Sequence, residues 1–412
     1  MKYTLSFSHE KLQGKVSLPS SKSISNRLLI IRALSSNRFP INGLSDSDDT
    51  LALQQGLQSE SEVIDIGHAG TSMRFLTAYF AATGCAKIIT GSERMKNRPI
   101  SDLVDALNQL GADIRYLEKQ GFPPIQMSGK PLSGDFVEIN GNVSSQFISA
   151  MLMVAPSLSK GLTICIKGEL VSTPYLKMTL ELMQQAGVYA TWKDNTITVT
   201  HQDYSLDKIT VERDWSAASY WYQMAVLAND VELLLEGVTE KSIQGDAIIS
   251  QMSRSFGIKT EYTSKGALLT KHKNICHSLE LDFIQTPDLV QTMVVTCCLN
   301  NTHFRFAGVQ TLRVKETDRI AAMQNEMLKL GYCIKETEPD VIEWNGERVK
   351  PQSQICISTY HDHRMAMAFA PAVIHFQGLQ IEDTEVVSKS YPNFWNDLKN
   401  VGLMIDCILP FS

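Results

Sequence analysis

One pattern recurs six times along this chain: a short polar or charged cluster, then a helix-length apolar stretch, then a turn. The copies are SSKSISNRLLIIRALSSN from Ser20, HAGTSMRFLTAYFAATG from His68, NVSSQFISAMLMVAPSLSKG from Asn142, DWSAASYWYQMAVLAND from Asp214, TPDLVQTMVVTCCLNN from Thr286 and HDHRMAMAFAPAVIHFQG from His361. A second, amphipathic helix is expected after each, and in five cases it closes on a glycine that opens a strand: Gly111, Gly187, Gly257, Gly331 and Gly402. A residue that accepts positive φ can end a helix there. ITVERD, VELLLEGV and LTICIKGE have the β-branched, alternating look of strands. The chain therefore reads as an α/β protein whose unit, strands plus two helices, repeats about every 70 residues, with the first copy abbreviated.

A helix apolar on nearly every side must be enclosed by protein, so the first helix of each unit is expected in a core beside its siblings. Only its polar N-terminal cluster can then reach solvent. Three such helices packed together bring out three N-termini, each with free N–H groups and partial positive charge, which is a ready anion site. Six units divide naturally into two domains of three, with the crossover near TVERDWS, residues 210–216. Two such faces opposed across a cleft would surround an anionic ligand.

The clusters carry cations and small hydroxyl residues suited to oxyanions: Lys22, Ser23 and Arg27; Thr71 and Arg74; Ser144, Ser145 and Gln146; His363 and Arg364. Between units stand RMKNRPI, with Arg94, Lys96 and Arg98, and RVKETDRI. Taken alone, RVKETDRI reads as a solvated helix start, with Thr317 as cap and Asp318 in the first turn. Cations at several equivalent repeat positions point instead to a ligand with more than one phosphate or carboxylate. The net charge of -6 argues against a general nucleic-acid binder, so an anion must be held locally. Eight scattered Cys without a C-x-x-C pair read as reduced thiols in a cytosol, with Cys297 and Cys298 in the core. The opening MKYTLSFSHEKLQGKVSLP reads as strand and turn rather than a leader, and no apolar run reaches membrane-spanning length. The pair of histidines in HDHR lacks a zinc context, and no nucleophile elbow, phosphate loop or dinucleotide fingerprint is present.

LPSSKSISNR, HAGTSMR, RMKNRPI followed by LVDAL, SSQF, VSTPYL, RVKETDR, DHRMAM and SKSYPNF run in order from residue 18 to 394. Together they resemble the 5-enolpyruvylshikimate-3-phosphate synthase family, and the resemblance covers nearly the whole chain. It implies the two-domain enolpyruvyl transferase fold of six βαβαββ repeats, three per domain, with an inter-domain cleft. The domains would be residues 20–212, and residues 1–19 with 213–412. The implied reaction moves the enolpyruvyl group of phosphoenolpyruvate to the 5-hydroxyl of shikimate 3-phosphate and releases phosphate, without metal or organic cofactor, in a cytoplasmic monomer.

For shikimate 3-phosphate the resemblance implies Lys22, Ser23, Arg27, Ser144, Ser145, Gln146, Ser172, Tyr175, Asp288, Thr311 and Lys315. For phosphoenolpyruvate it implies Lys22, His68, Gly70, Thr71, Arg98, Gln146, Arg319, Arg364 and Lys389. Lys22, Asp288 and Glu316 would move protons, while Arg313 and Asp318 read as scaffold. Four positions depart from the family pattern: Ser20 for Gly, His68 for Asn, Phe75 for Pro and Thr311 for Asn. An imidazole at 68 can still donate to a phosphate. Phe75 is expected to shift the helix bearing Thr71, leaving the response to the family's inhibitor glyphosate open. The sister UDP-N-acetylglucosamine enolpyruvyl transferases carry a loop cysteine expected near GSERMKNRP, where none stands. A catalytically silent anion-binding protein on the same scaffold is a further alternative, against which Lys22, Asp288 and Glu316 speak.

Overall fold

Each apolar stretch forms a helix that buries itself almost all round, as its lack of a polar face demands. The computed structural model describes residues 1–8, 11–142, 144–273 and 276–408. The chain divides into two compact units, Ser20–Val211 and Met1–Pro19 with Glu212–Ser412.

The unit Ser20–Val211 holds α1 (Lys22–Leu34), α2 (Asp48–Gln58), α3 (Gly70–Thr83), α4 (Ser101–Gln109), α5 (Ser145–Val154) and α6 (Thr173–Gln185). Helices α1, α3 and α5 are the inner three and pack on one another. All of α5 is buried except Gln146, which sits on its first turn. The helix stops before Pro156, whose missing N–H cannot continue the ladder, and passes into a 3-10 turn at Ala155–Ser157. Phe75 lies buried within an unbroken α3.

The other unit holds α7 (Trp215–Leu227), α8 (Ile249–Met252), α9 (Val290–Leu299), α10 (Arg319–Lys329), α11 (His363–Phe369) and α12 (Phe394–Asn400). Its inner three, α7, α9 and α11, likewise pack together, and every residue of α9 and α11 is buried, Cys297 and Cys298 included. Pro371 shortens α11, which continues as a 3-10 turn at Ala370–Ile374. Where an amphipathic helix is expected before Gly257, only the short α8 forms, flanked by 3-10 turns at Gly245–Ile248 and Ser253–Phe256. Serines that bond nearby backbone compete with the helical ladder there, as when Ser250 Oγ donates to the Ala247 carbonyl at 2.9 Å.

The sheets share one wiring: a parallel pair, then an antiparallel hairpin added to the second strand. In Ser20–Val211, Val63–Asp65 runs parallel to Ala86–Thr90, and Phe136–Asn140 to Leu162–Lys167. The first repeat keeps only the parallel pair Ile41–Asn42 and Ile209–Thr210, which is the abbreviation expected from the sequence. In the other unit the first two strands of the chain serve different repeats. Lys2–Ser6 completes the last sheet beside Leu379–Glu382 and Met404–Ile408, while Lys11–Ser17 pairs parallel with Asp230–Glu236. The turn expected between them, at residues 9–10, lies outside the described residues. Among the described residues no helix is long and apolar enough to cross a membrane.

Gly111, Gly187, Gly257, Gly331 and Gly402 all take positive φ after their helices. At Gly331, φ 89, an added Cβ would stand 2.7 Å from the Val349 carbonyl oxygen. Gly331→Ala is expected to lower stability by about 1–3 kcal/mol, read as a shift of the urea midpoint at unchanged slope.

Candidate active site

In Ser20–Val211 the recurring polar cluster of each repeat sits at a helix start. Neither α1 nor α3 receives a side-chain cap from the residue before it. At α5, Ser144 Oγ accepts from the Gln146 N–H at 3.3 Å, and Gln146 Nε2 donates to Thr71 Oγ1 at 3.3 Å, joining α5 to α3. Lys22 Nζ lies 3.2 Å from Asp49 Oδ2 at the start of α2, and Ser72 Oγ donates to the Asp49 carbonyl at 2.8 Å. Gly70 lies against two guanidinium groups. Arg74 Nη1 donates to its carbonyl at 2.8 Å, and a Cβ there would stand 2.8 Å from Arg98 Cζ.

Arg27 is buried and engaged within its own unit. Only 2% accessible, it donates from Nε to Thr179 Oγ1 at 2.7 Å, from Nη1 to the Ser23 carbonyl at 2.9 Å, and from Nη2 to Ser149 Oγ and the Tyr175 carbonyl, each at 3.3 Å. Its guanidinium also stands 5.6 Å from the centre of the Phe75 ring. Burial pulls Arg27 down to about 10, which leaves it charged at neutral pH. It ties α1 to α5 and α6, and so sets where Ser23, Ser145 and Tyr175 stand. Ser172, ahead of α6, is buried and left-handed at φ 57, a strained conformation for a residue with a side chain. His68 is exposed, with Nδ1 2.8 Å from Ser92 Oγ.

In the unit of α7–α12, the implied residues form an alternating lattice of charge. Arg319, 1% exposed, donates from Nε to Asp362 Oδ2 at 2.7 Å, from Nη1 to Asp288 Oδ1 at 3.2 Å and from Nη2 to Glu316 Oε2 at 2.9 Å. Burial lowers its proton affinity, but Asp362, Glu316 and Asp288 more than offset this and hold it above its ordinary value. Arg364 Nη2 sits 2.8 Å from Asp288 Oδ2, and Lys389 Nζ 3.3 Å from Glu316 Oε1. Glu316 is thus bridged by two cations, and so is Asp288. The Thr311 hydroxyl is buried without a hydrogen-bond partner among the described residues. Lys315 is half-buried at the end of the 3-10 turn Gln310–Val314.

The cap of α10 is Asp318, not Thr317: Asp318 Oδ1 accepts from the Ile320 and Ala321 N–H groups at 3.1 and 3.2 Å. A carboxylate reaches the open N–H groups as an acceptor with full charge, which a threonine hydroxyl lacks. Arg313 pairs with Asp318 at 3.2 Å and with Glu336, as a scaffold residue would. Sequence reading missed three acids. Asp362 caps α11 and grips Arg319; its signal was an Asp directly before the helix in HDHR. Asp49 neutralises Lys22 from the acidic run DSDD. Asp246 is 4% exposed and accepts from Ser216 Oγ, with no local pattern to mark it.

This repeat plan is that of the enolpyruvyl transferases. The chain matches the solved EPSP synthase of Acinetobacter baumannii with a TM-score of 0.77 at 20% identity, covering 98% of this chain and 100% of that one. It matches the enolpyruvyl transferase NikO of Streptomyces tendae with a TM-score of 0.70 at 12% identity, covering 98% of each. In sequence, the family profile described as EPSP synthase (3-phosphoshikimate 1-carboxyvinyltransferase) fits residues 8–59 and 52–398. A 3-phosphoshikimate 1-carboxyvinyltransferase of Bacteroides fragilis strain YCH46 is 49% identical over 406 residues, 98% of this chain and 99% of that protein. One from Shewanella pealeana is 36% identical over 432 residues, 95% of this chain and 98% of that protein. The chain belongs to the EPSP synthase family.

Burial and the like charge of Asp288 push the Asp246 carboxyl up to about 7, against the pull of Arg364 and the Ser216 hydrogen bond. An unfolded Asp titrates near 4, so between about pH 4 and 7 the folded chain holds a proton that the unfolded chain has lost. Stability from this group therefore falls as pH rises through that window. Asp246→Asn should remove the fall, which is at most a few kcal/mol; urea unfolding at pH 5 and pH 7.5 reads it as a smaller loss in the variant.

Proposed function

We propose that the chain transfers the enolpyruvyl group of phosphoenolpyruvate to the 5-hydroxyl of shikimate 3-phosphate, releasing inorganic phosphate. The observation that carries this reading is Glu316, bridged by Arg319 at 2.9 Å and Lys389 at 3.3 Å beside an Asp288 held by Arg319 and Arg364. Family membership supports the choice of substrates. The chemistry needs such paired acids. C3 of phosphoenolpyruvate takes a proton while C2 is attacked by the 5-hydroxyl oxygen, which gives up its own proton. In the second step a C3 proton returns to the protein, the C2–O bond to phosphate breaks and phosphate leaves.

On this reading Lys22, Arg98, Gln146, Arg319, Arg364 and Lys389 take the phosphoenolpyruvate anion, with His68, Gly70 and Thr71 beside it. Ser23, Arg27, Ser144, Ser145, Ser172, Tyr175, Thr311 and Lys315 take shikimate 3-phosphate, Arg27 chiefly by fixing its neighbours. Lys22, Asp288 and Glu316 handle protons. An arriving anion draws Arg364 and Lys389 towards itself and so weakens their hold on Asp288 and Glu316. Loss of a neighbouring cation raises a carboxylate's proton affinity, so ligand binding readies these acids for proton traffic. Asp288 and Glu316 share Arg319, so no single transfer is assigned to either of them. Side-chain cations supply the positive charge, and the reading needs neither metal nor organic cofactor. It treats the enzyme as a cytoplasmic monomer acting on free small molecules and not on nucleic acid, in keeping with a net charge of -6.

The test is phosphate release, expected from the two substrates together and from neither alone. Glu316→Gln should lower turnover by about 10²–10⁴-fold while calorimetry finds shikimate 3-phosphate affinity nearly unchanged. Near-normal turnover in that variant removes Glu316 from the proton traffic.

A further inference from the structure

An acid stands where α10 should be apolar. The buried stripe of that helix runs through Ile320, Met323 and Met327, and Glu326 lies on it with 0% exposure. A carboxylate is tolerated there only if its oxygens are satisfied. Oε1 accepts from Tyr360 Oη at 2.8 Å, and Oε2 accepts from the Ser358 N–H at 3.1 Å and pairs with Lys329 Nζ at 2.7 Å. Lys329 Nζ donates onward to the Cys356 carbonyl at 2.9 Å. These side-chain hydrogen bonds of Glu326 and Lys329 outside the helix all fall on one segment, residues 356–360.

That segment ends in an unusual turn. Tyr360 and His361 are successive left-handed residues, at φ 55 and 56, and neither is glycine. L side chains resist this conformation, so the turn persists only where its surroundings hold it. The residue it delivers is Asp362, whose N–H donates to the Thr359 carbonyl at 2.9 Å. Asp362, 0% exposed, accepts from Arg319 Nε at 2.7 Å and from the Arg364 N–H at 2.9 Å. Helix α10 is thus fastened to the same stretch twice, by Arg319 at its start and by Glu326 about two turns on.

We infer that Glu326 is a positioning residue: with Tyr360 it latches the Tyr360–His361 turn so that Asp362 sets Arg319, and through Arg319 the carboxylates Glu316 and Asp288. A hydrophobic residue could fill the same volume but could not hold the turn. The inference rests on the proposed reaction for its kinetic consequence and on geometry alone for the latch.

The test uses the full chain with Glu326→Ala, the milder Tyr360→Phe, and Glu326→Ala combined with His361→Gly, which removes the side chain that opposes the turn. Glu326→Ala should lower kcat by about tenfold to a hundredfold and raise KM for phosphoenolpyruvate, with KM for shikimate 3-phosphate within about twofold of the parent. Tyr360→Phe should do the same more weakly, and His361→Gly should restore part of the loss. Amide exchange at residues 359–364 should speed by about tenfold in Glu326→Ala. A role in stability alone would lower the unfolding midpoint and leave both KM values and kcat of the folded enzyme at parent levels, which overturns the latch. If the parent itself releases no phosphate, the proposed reaction fails; unchanged exchange at 359–364 then overturns the latch, and faster exchange upholds it.

Discussion

A helix enclosed on every side has no lateral face left for a ligand, so the inner helices of each unit can act only through their ends. This constraint explains why polar residues collect where they do. Along α9 and α11 every residue is buried, and their chemistry sits just before or within the first turn: Asp288 in the 3-10 turn preceding α9, Asp362 and Arg364 at the start of α11. In the other unit Lys22, Gly70, Thr71, Ser145 and Gln146 all fall in the first turns of α1, α3 and α5. Helix starts favour negative charge, so residues proposed to grip anions coincide with helix ends that attract them.

Two buried arginines near such helix starts show how partner chemistry separates a brace from a working charge. Arg27 meets hydroxyl and carbonyl oxygens, with no carboxylate among its hydrogen-bond partners in the described residues. Arg319 meets three carboxylates. Removing the partner of a buried charge is costly, of order 3–5 kcal/mol, so both arginines act from where their partners hold them. Arg27 fixes positions and projects positive potential. Arg319 holds Glu316 and Asp288 in place while keeping their charges apart, which two neighbouring carboxylates could not manage without it.

Much of the fold was legible because it is periodic. The apolar stretches, the abbreviated first repeat and the five helix-ending glycines are all written in local sequence, since enclosure and positive φ each restrict residue type directly. The failures share a cause as well. The helix before Gly257 breaks up because serines such as Ser250 offer its backbone another partner, and Asp318 displaces Thr317 as a cap because charge decides between two adequate residues. For the site, motifs marked the residues expected to touch substrate, but not Asp49, Asp246, Glu326 or Asp362, which act through other side chains. Glu326 lies thirty-odd positions from the Ser358 and Tyr360 it binds, and only the packing of α10 on α11 brings them together.

The two units differ in what they can do with a proton. In Ser20–Val211 Lys22 pairs with Asp49, and Arg27 meets hydroxyl and carbonyl oxygens. In the other unit Arg319, Arg364 and Lys389 are matched by Asp288, Glu316 and Asp362, with Asp246 close enough to feel Asp288. A neutralised lattice holds anions poorly until something competes for its cations, and each cation drawn away leaves a carboxylate more basic. On the proposed reaction, this lattice turns the arrival of a substrate anion into proton affinity on Asp288 and Glu316.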